Sequence, residues 1–384
     1  MMTYLDNAAT TSPKPDIVVR EVGNALRKYA ANPGRGGHTP SLNAAEAVYR
    51  TRTLVKDFFH APTEENVIFT SGCTQSLNTV IKGVLKQGDH VIISSFEHNA
   101  VLRPVHALKE RGIIDYSIAE VVPDDDEATV NAFRNSINAR TRMIICTHAS
   151  NVFGNRLPVE RICALAHSYG ILFCLDAAQS AGVLEIDMAD SNFDYVCCPG
   201  HKGLYGPMGI GLLLINHNDL LRPLIEGGTG SDSVNPLMPD YYPERLESGT
   251  LNLPGICGLN AGIRFISSKG KYNVFRHEMQ LIESLYNRLS KLDGISLYTK
   301  APDTDHSVPV LSFNIKNTES EKVSAFLNSR YGIAVRSGLH CAPLAHRTMN
   351  TLEQGTVRAA PSIFTTEKDI QKLVFAVKNF IHSS

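Results

Sequence analysis

A lysine and an aspartate each follow a short apolar run, so both could be presented at strand ends to one bound molecule. Lys202 comes shortly after the run Tyr195–Cys198, and Asp176 directly follows the run Ile171–Leu175. A lysine amine that forms a Schiff base and a carboxylate that keeps a pyridinium nitrogen protonated are the two groups that pyridoxal phosphate chemistry requires. We therefore predict that this cofactor is bound between them.

Each of the two residues also has an ordinary structural interpretation. Lys202 could be a solvated lysine after a strand, and Asp176 could cap the helix that follows. Against this, residues 200–209 contain four glycines, which let backbone approach a ligand closely. Gln179, three residues after Asp176, is placed to reach the ring hydroxyl of the cofactor. We favour the cofactor interpretation for these reasons.

Polar segments follow five of the six predicted strands. In doubly wound sheets the ligand crevice lies outside the carboxyl ends of the strands, so five such segments point to one shared pocket. The five segments are Ser71–Thr74, Glu97–Asn99, His148–Asn151, Asp176–Gln179 and His201–Lys202.

Two of these segments suggest further contacts with the cofactor. Ser71–Thr74 precedes a predicted helix, whose free N–H groups and dipole suit a phosphate, although many helices start with Ser or Thr. His98 could be an ordinary hydrogen-bonded histidine at a strand end. In a shared pocket it could instead stack on the pyridine ring and move a proton to or from the substrate.

A cysteine and an arginine near the C-terminus could act on a substrate. Cys341 lies in a segment with few apolar residues, close in sequence to Arg336 and His340, where an exposed thiol could ionise and act as a nucleophile. A buried packing role is the alternative, because unpaired cysteines are mostly buried. Arg358 could clamp a substrate carboxylate with two hydrogen bonds, or it could form a structural salt bridge.

The composition excludes several classes of function. The 384 residues carry a formal net charge of −1, with no basic cluster, so we expect no nucleic-acid partner. No apolar run approaches the roughly 18 residues of a membrane span, and no signal-peptide pattern is present. The eight cysteines form no C-x-x-C pair, so we predict no metal site. These features favour a cytoplasmic enzyme.

The order of the predicted elements indicates an α/β protein with a large domain built on a mostly parallel sheet and a smaller α+β domain. We place the large domain at residues 16–265 and the small domain at residues 266–384, with residues 1–15 packing on the small one. The six strands predicted for the large domain are Val67–Thr70, Val91–Ser95, Met143–Thr147, Ile171–Asp176, Tyr195–Cys198 and Ile210–Ile215.

These motifs together resemble the cysteine desulfurase family, which comprises class V pyridoxal phosphate enzymes of fold type I. The resemblance extends over nearly the whole chain, and its motifs come in the same order. It is carried by Tyr4–Thr11, Asn32–His38, Thr70–Thr74, Glu97–Ala100, Ser150–Gly154, Asp176–Gln179, Gly200–Lys202, Glu247–Thr250 and the Cys341 segment.

The resemblance implies a role for each cofactor contact. Lys202 would be the Schiff-base lysine, Asp176 and Gln179 would hold the ring, and His98 would stack on it. Asn151 is implied in the binding of both cofactor and substrate. Around the phosphate the resemblance implies Cys73, Thr74, His201 and, from the partner subunit of a homodimer, Thr250.

The resemblance also implies the reaction. Arg358 would bind the carboxylate of L-cysteine, with Arg35 nearby, and Lys202 would move the α-proton. Cys341 would attack the substrate sulfur and hold it as a persulfide, leaving L-alanine. The sulfur would then pass to a small-molecule reductant or an acceptor protein.

The segment Arg336–Ala342 is similar to the group II (SUF-type) pattern shared with selenocysteine lyases. Three positions depart from that pattern: Pro199 replaces a usual serine, Leu339 a frequent histidine, and Cys73 a common threonine or alanine. These departures leave the subgroup, the sulfur acceptor and the preferred substrate open. The alternative is another class V enzyme, such as a selenocysteine lyase or an aminotransferase.

Overall fold

The large sheet has seven strands. The computed structural model describes residues 2–34, 36–217 and 219–383. Within them, the sheet has the order β2-β8-β7-β6-β5-β3-β4, and β8 alone runs antiparallel to its neighbours. Its strands are β2 (Val67–Thr70), β3 (His90–Ser94), β4 (Asp115–Ala119), β5 (Thr141–Thr147), β6 (Leu172–Asp176), β7 (Tyr195–Pro199) and β8 (Gly211–Ile215).

Helices cover both faces of this sheet. Because both faces are buried, its central strands are continuous apolar runs in which successive side chains enter opposite clusters. In β5, Ile144 packs into one cluster while Met143 and Ile145 pack into the other. The helices that precede β8 along the chain are α1 (Asp16–Lys28), α2 (Thr39–Phe59), α3 (Cys73–Val84), α4 (Asn99–Glu110), α5 (Asp126–Ser136), α6 (Val159–Ser168) and α7 (Met188–Ser191).

The C-terminal part contains a three-stranded antiparallel sheet with the order β12-β10-β9. The N-terminal strand β1 also joins this part, because it pairs in parallel with β11. The strands are β1 (Thr3–Tyr4), β9 (Ile295–Leu297), β10 (Leu311–Ile315), β11 (Ile333–Ala334) and β12 (Val357–Ala359). The helices are α8 (Leu253–Lys269), α9 (Lys271–Leu289), α10 (Ser320–Tyr331), α11 (Pro343–Thr348) and α12 (Glu367–Ser383).

The predicted fold class is confirmed, and all six predicted strands belong to the large sheet. The sequence did not reveal β4, because this edge strand is partly exposed and lacks an apolar run. In the C-terminal part, β11 is only two residues long, and Arg336, two residues after it, forms an isolated bridge to Arg358. Helix α8 runs across the predicted boundary between residues 265 and 266, so that division stays a prediction.

No helix in the described part of the chain has the length and apolarity that a membrane crossing requires.

A glycine at the start of β8 allows the turn between β2 and α3 to pack closely. A Cβ on Gly211 would lie 2.5 Å from the Cα of Gly72 and 3.0 Å from the backbone nitrogen of Cys73. Both are backbone atoms, so relief would require the chain itself to shift. Gly211 therefore helps to fix where helix α3 begins.

We predict that Gly211→Ala lowers the free energy of unfolding by about 1–3 kcal/mol, because it overpacks this contact. Urea-induced unfolding followed by circular dichroism measures the change. The matched control is Gly23→Ala in α1, where an added Cβ meets no atom within 4 Å. That control should be neutral or slightly stabilising, since alanine favours helix. Equal stability of Gly211→Ala and the parent would contradict this account.

Candidate functional site

A cavity of about 340 Å³ opens at the carboxyl ends of β2, β3, β5, β6 and β7. The structure brings side chains from all five predicted polar segments to this one cavity, because the five strands run parallel and end at the same edge. The predicted site residues that line it are Cys73, Thr74, His98, Asn151, Asp176, Gln179, His201 and Lys202.

Lys202 and Asp176 are the charged pair of this cavity. Burial lowers the pKa of the Lys202 amine, and the carboxylate of Asp176 partly offsets this. Burial likewise raises the pKa of Asp176, while a hydrogen bond from the Ala178 N–H and the charge of Lys202 lower it. Each group thus favours the charged form of the other in surroundings that disfavour both charges.

The N-terminus of α3 forms one wall of the cavity. Gly72 precedes the helix, and Cys73 and Thr74 begin it. The first N–H groups of a helix have no acceptor within the helix, and its dipole attracts anions. Ser71 is held in place because its N–H donates to Gln75 Oε1 at 2.7 Å. This wall can therefore bind a phosphate through backbone groups.

Pro199 ends β7 and lines the cavity, so the cavity has no hydroxyl at the position where the group II pattern has a serine. His201 lies beside it, and burial lowers the pKa of its imidazole to about 4.

His98 is a neutral imidazole in this pocket. Burial, followed by the charge of Lys202, lowers its pKa to about 4. Its Nδ1 accepts a hydrogen bond of 3.0 Å from the Ala100 N–H, so the proton of the neutral ring is on Nε2. The side chain is therefore oriented by the first turn of α4, and it presents an N–H donor.

Asn151 and Gln179 connect the cavity to other parts of the chain. The side-chain Nδ2 of Asn151 donates to the carbonyl of His340 at 2.8 Å, and the backbone carbonyl of Asn151 accepts from Arg358 Nη1 at 2.8 Å. Gln179 Nε2 donates to the carbonyl of Ala8 at 3.0 Å.

Arg358 is only 1% exposed and does not line the described cavity. Besides its bond to Asn151, its Nη2 donates to Asp6 Oδ1 at 2.7 Å. Its Nε is buried without an acceptor among the described residues. The structural salt bridge that the sequence left open is thus present, and one buried N–H is still unpartnered.

Cys341 is exposed, in contrast to six of the other cysteines, which are buried. Its carbonyl accepts a hydrogen bond of 2.7 Å from the Asn99 N–H, next to His98. Arg336 Nη2 lies 3.9 Å from its sulfur. The preceding His340 is buried, and burial lowers the pKa of its imidazole to about 2. The loop is therefore docked beside the cavity, and Cys341 itself is exposed.

Two further predicted site residues are Thr250 and Arg35. Thr250 lines a second cavity of about 190 Å³, which also includes Ser71 and Gln75 and so adjoins the wall formed by α3. Arg35 lies outside the described residues.

Sequence reasoning missed the contacts that the N-terminal segment makes with the lysine loop. The carbonyl of His201 accepts hydrogen bonds from the side chains of Thr10, Thr11 and Lys14, at 3.1, 3.2 and 2.7 Å. Burial lowers the pKa of Lys14 to about 8. These donors fix the peptide bond that precedes Lys202. The available signal in the sequence was Lys14, a lysine between Pro13 and Pro15. It could not identify the contact, because the carbonyl of His201 lies 187 residues away along the chain.

Comparisons with known proteins agree with this geometry. The sequence profile of the family described as aminotransferase class V matches residues 3–373. A probable cysteine desulfurase of Methanothermobacter thermautotrophicus is 35% identical over 378 residues, which cover 96% of this chain and 92% of the relative.

Solved structures agree as well. The apo cysteine desulfurase of Thermococcus onnurineus NA1 has a TM-score of 0.90 and 30% identity, covering 100% of this chain and 95% of that one. The Escherichia coli cysteine desulfurase CsdA has a TM-score of 0.87 and 25% identity, with the same coverage.

We predict that Asp6→Ala lowers the free energy of unfolding by about 3 kcal/mol, because it leaves the buried guanidinium of Arg358 without its counter-ion. The matched control is Glu319→Ala, which removes the exposed ion pair with Lys322 and should cost less than about 1 kcal/mol. Urea-induced unfolding of both variants checks this. Similar small losses in the two variants would mean that Asp6 does not neutralise Arg358.

Proposed function

We propose that this chain, which belongs to the aminotransferase class-V family, is a pyridoxal phosphate-dependent cysteine desulfurase. It would convert L-cysteine to L-alanine and hold the released sulfur as a persulfide on Cys341. One observation carries the proposal: an exposed thiol lies on a loop that is hydrogen-bonded beside the cavity containing Lys202. An aminotransferase with the same cavity would need no such thiol.

The residues around the cavity fit the cofactor. The amine of Lys202 would carry the cofactor covalently, because a lysine with a lowered pKa is reactive at neutral pH. Asp176 Oδ2 has no donor among the described residues and would accept a hydrogen bond from the ring nitrogen. The N-terminus of α3 would bind the phosphate. When bound, the cofactor supplies an electron sink for charge that develops at the substrate α-carbon.

Lys202 and His98 would handle protons in this pocket. The Lys202 Nζ would take the proton from the substrate α-carbon, and burial increases the fraction of the amine in the neutral form that a base requires. His98 would stack on the ring and keep its Nε2 proton available, because its imidazole is neutral near pH 7.

Arg358 and Asn151 would bind the substrate carboxylate, with Arg35 nearby. The buried Nε of Arg358 has no acceptor among the described residues. A buried unpaired donor is costly, so an incoming carboxylate that satisfies it gains binding free energy. The positive charge of Arg358, which already pairs with the carboxylate of Asp6, would also attract the carboxylate of the substrate.

Cys341 would act as the nucleophile. Its thiolate attacks the substrate sulfur, and the new S–S bond forms as the carbon–sulfur bond of cysteine breaks. The electron pair of the broken bond stays with the β-carbon, which is then protonated to give the methyl group of alanine. The reaction therefore balances without an external oxidant. Arg336, whose Nη2 is 3.9 Å from the sulfur, would orient the attacking group.

We further propose a homodimer and a sulfur acceptor. The cavity that contains Thr250 adjoins the phosphate wall through Ser71 and Gln75. In a dimer, Thr250 of each subunit would reach the phosphate bound by the other. The exposure of Cys341 would let a thiol or an acceptor protein take the sulfur from its persulfide.

We predict that Cys341→Ala lowers the rate of alanine and sulfide formation from L-cysteine more than about 100-fold, because the attacking thiolate is lost. The visible absorbance of the bound cofactor should persist, since Cys341 does not line the cavity. Alanine and sulfide are measured in the same reaction, which contains dithiothreitol as the reductant that cleaves the persulfide and releases its outer sulfur as sulfide. The matched control is Cys257→Ala, which removes a partly buried thiol and should keep the parent rate.

Sulfide release by Cys341→Ala at the parent rate would exclude the desulfurase mechanism. Activity of the parent protein on selenocysteine but not on L-cysteine would point to a selenocysteine lyase, and formation of a keto acid without alanine would point to an aminotransferase.

A further inference from the structure

The two oxygens of the Asp176 carboxylate have different surroundings. Oδ1 accepts hydrogen bonds from the Ala178 N–H at 2.9 Å and from the Cys73 thiol at 3.4 Å. Oδ2 accepts none from the described residues, although Asp176 is only 2% exposed and lines the cavity. The carboxylate is therefore held by one oxygen, and the other is free for a ligand in the cavity.

We propose that Cys73 is a positioning residue for the cofactor: its thiol fixes the Asp176 carboxylate so that Oδ2 faces the ring nitrogen. This inference rests on the proposed pyridoxal phosphate site. The sequence resemblance implied that Cys73 lies around the phosphate. As the first residue of α3 it can still offer its backbone N–H there, but its sulfur points to the carboxylate at the end of β6.

The surroundings of Cys73 suit a donor and not a nucleophile. The residue is 9% exposed, and burial together with the charge of Asp176 raises the pKa of its thiol well above the usual value. The thiol therefore keeps its proton at neutral pH and can donate a hydrogen bond to the carboxylate. This separates Cys73 from Cys341, whose sulfur is exposed.

The hydrogen bond also acts on the charge of Asp176. Burial disfavours the ionised carboxylate, and each hydrogen bond that it accepts favours the ionised form. An ionised carboxylate is the form that keeps a pyridinium nitrogen protonated. Loss of the Cys73 donor would therefore have two effects. It would weaken the pairing of Asp176 with the ring nitrogen, and it would leave the carboxylate less firmly oriented.

The test measures cofactor affinity by adding pyridoxal phosphate to the apoprotein and following absorbance. Cys73→Ala removes the donor and should weaken binding about tenfold, as expected for a hydrogen bond to a charged group. Cys73→Ser keeps a donor and should bind within about twofold of the parent. The matched control is Cys198→Ala in β7, the strand next to β6, which removes a buried thiol that makes no hydrogen bond to Asp176, and this variant should bind the cofactor normally.

A second titration uses 1-deazapyridoxal phosphate, in which carbon replaces the ring nitrogen. The Cys73→Ala variant should then bind as tightly as the parent, because the interaction that Cys73 supports no longer exists. A tenfold loss with both ligands would mean that the substitution acts through packing, and unchanged affinity for pyridoxal phosphate would mean that the thiol does not position Asp176. Either result overturns this inference while leaving the proposed function intact. Failure of the parent protein to bind pyridoxal phosphate would overturn the proposed function itself.

Discussion

Burial of a lysine amine and an aspartate carboxylate in one cavity is the constraint on which the site depends. Asp176 is buried and Lys202 is half-buried, and these surroundings disfavour both charges, so each charge relies on the other and on nearby hydrogen bonds. The parallel sheet makes this arrangement possible, because the carboxyl ends of β6 and β7 are neighbours and bring the two residues to the same edge. The proposed cofactor would use both groups, with the amine at its aldehyde and the carboxylate at its ring nitrogen.

The N-terminal segment joins this cavity to the C-terminal strands. Asp6 neutralises the buried Arg358, Ala8 accepts a hydrogen bond from Gln179, and Thr11 donates to the peptide bond before Lys202. A few residues thus contact the proposed substrate-binding arginine, the glutamine proposed to contact the cofactor ring, and the lysine loop. Strand β1 anchors the segment by pairing with β11. One short stretch of chain therefore contacts both the proposed carboxylate-binding arginine and the loop that carries Lys202.

The sequence predicted the features that depend on local pattern. Apolar runs identified the six strands of the sheet core, and the polar residues after them identified the cavity, because strand direction places those residues together. Partners distant in sequence were not predictable: Asp6 and Arg358 are 352 residues apart, and each is an ordinary charged residue by itself. The direction of the Cys73 thiol was also hidden, because it depends on where α3 begins and on the contact between Gly72 and Gly211.

Reduction of the purified protein with borohydride in the presence of pyridoxal phosphate, followed by peptide mass mapping, tests the central claim most directly. Borohydride converts an imine between the cofactor and a lysine into a stable amine. The account predicts a phosphopyridoxyl group on the peptide containing Lys202 and on no other lysine in stoichiometric yield. An unmodified Lys202 peptide, or stoichiometric modification of a different lysine, would contradict it.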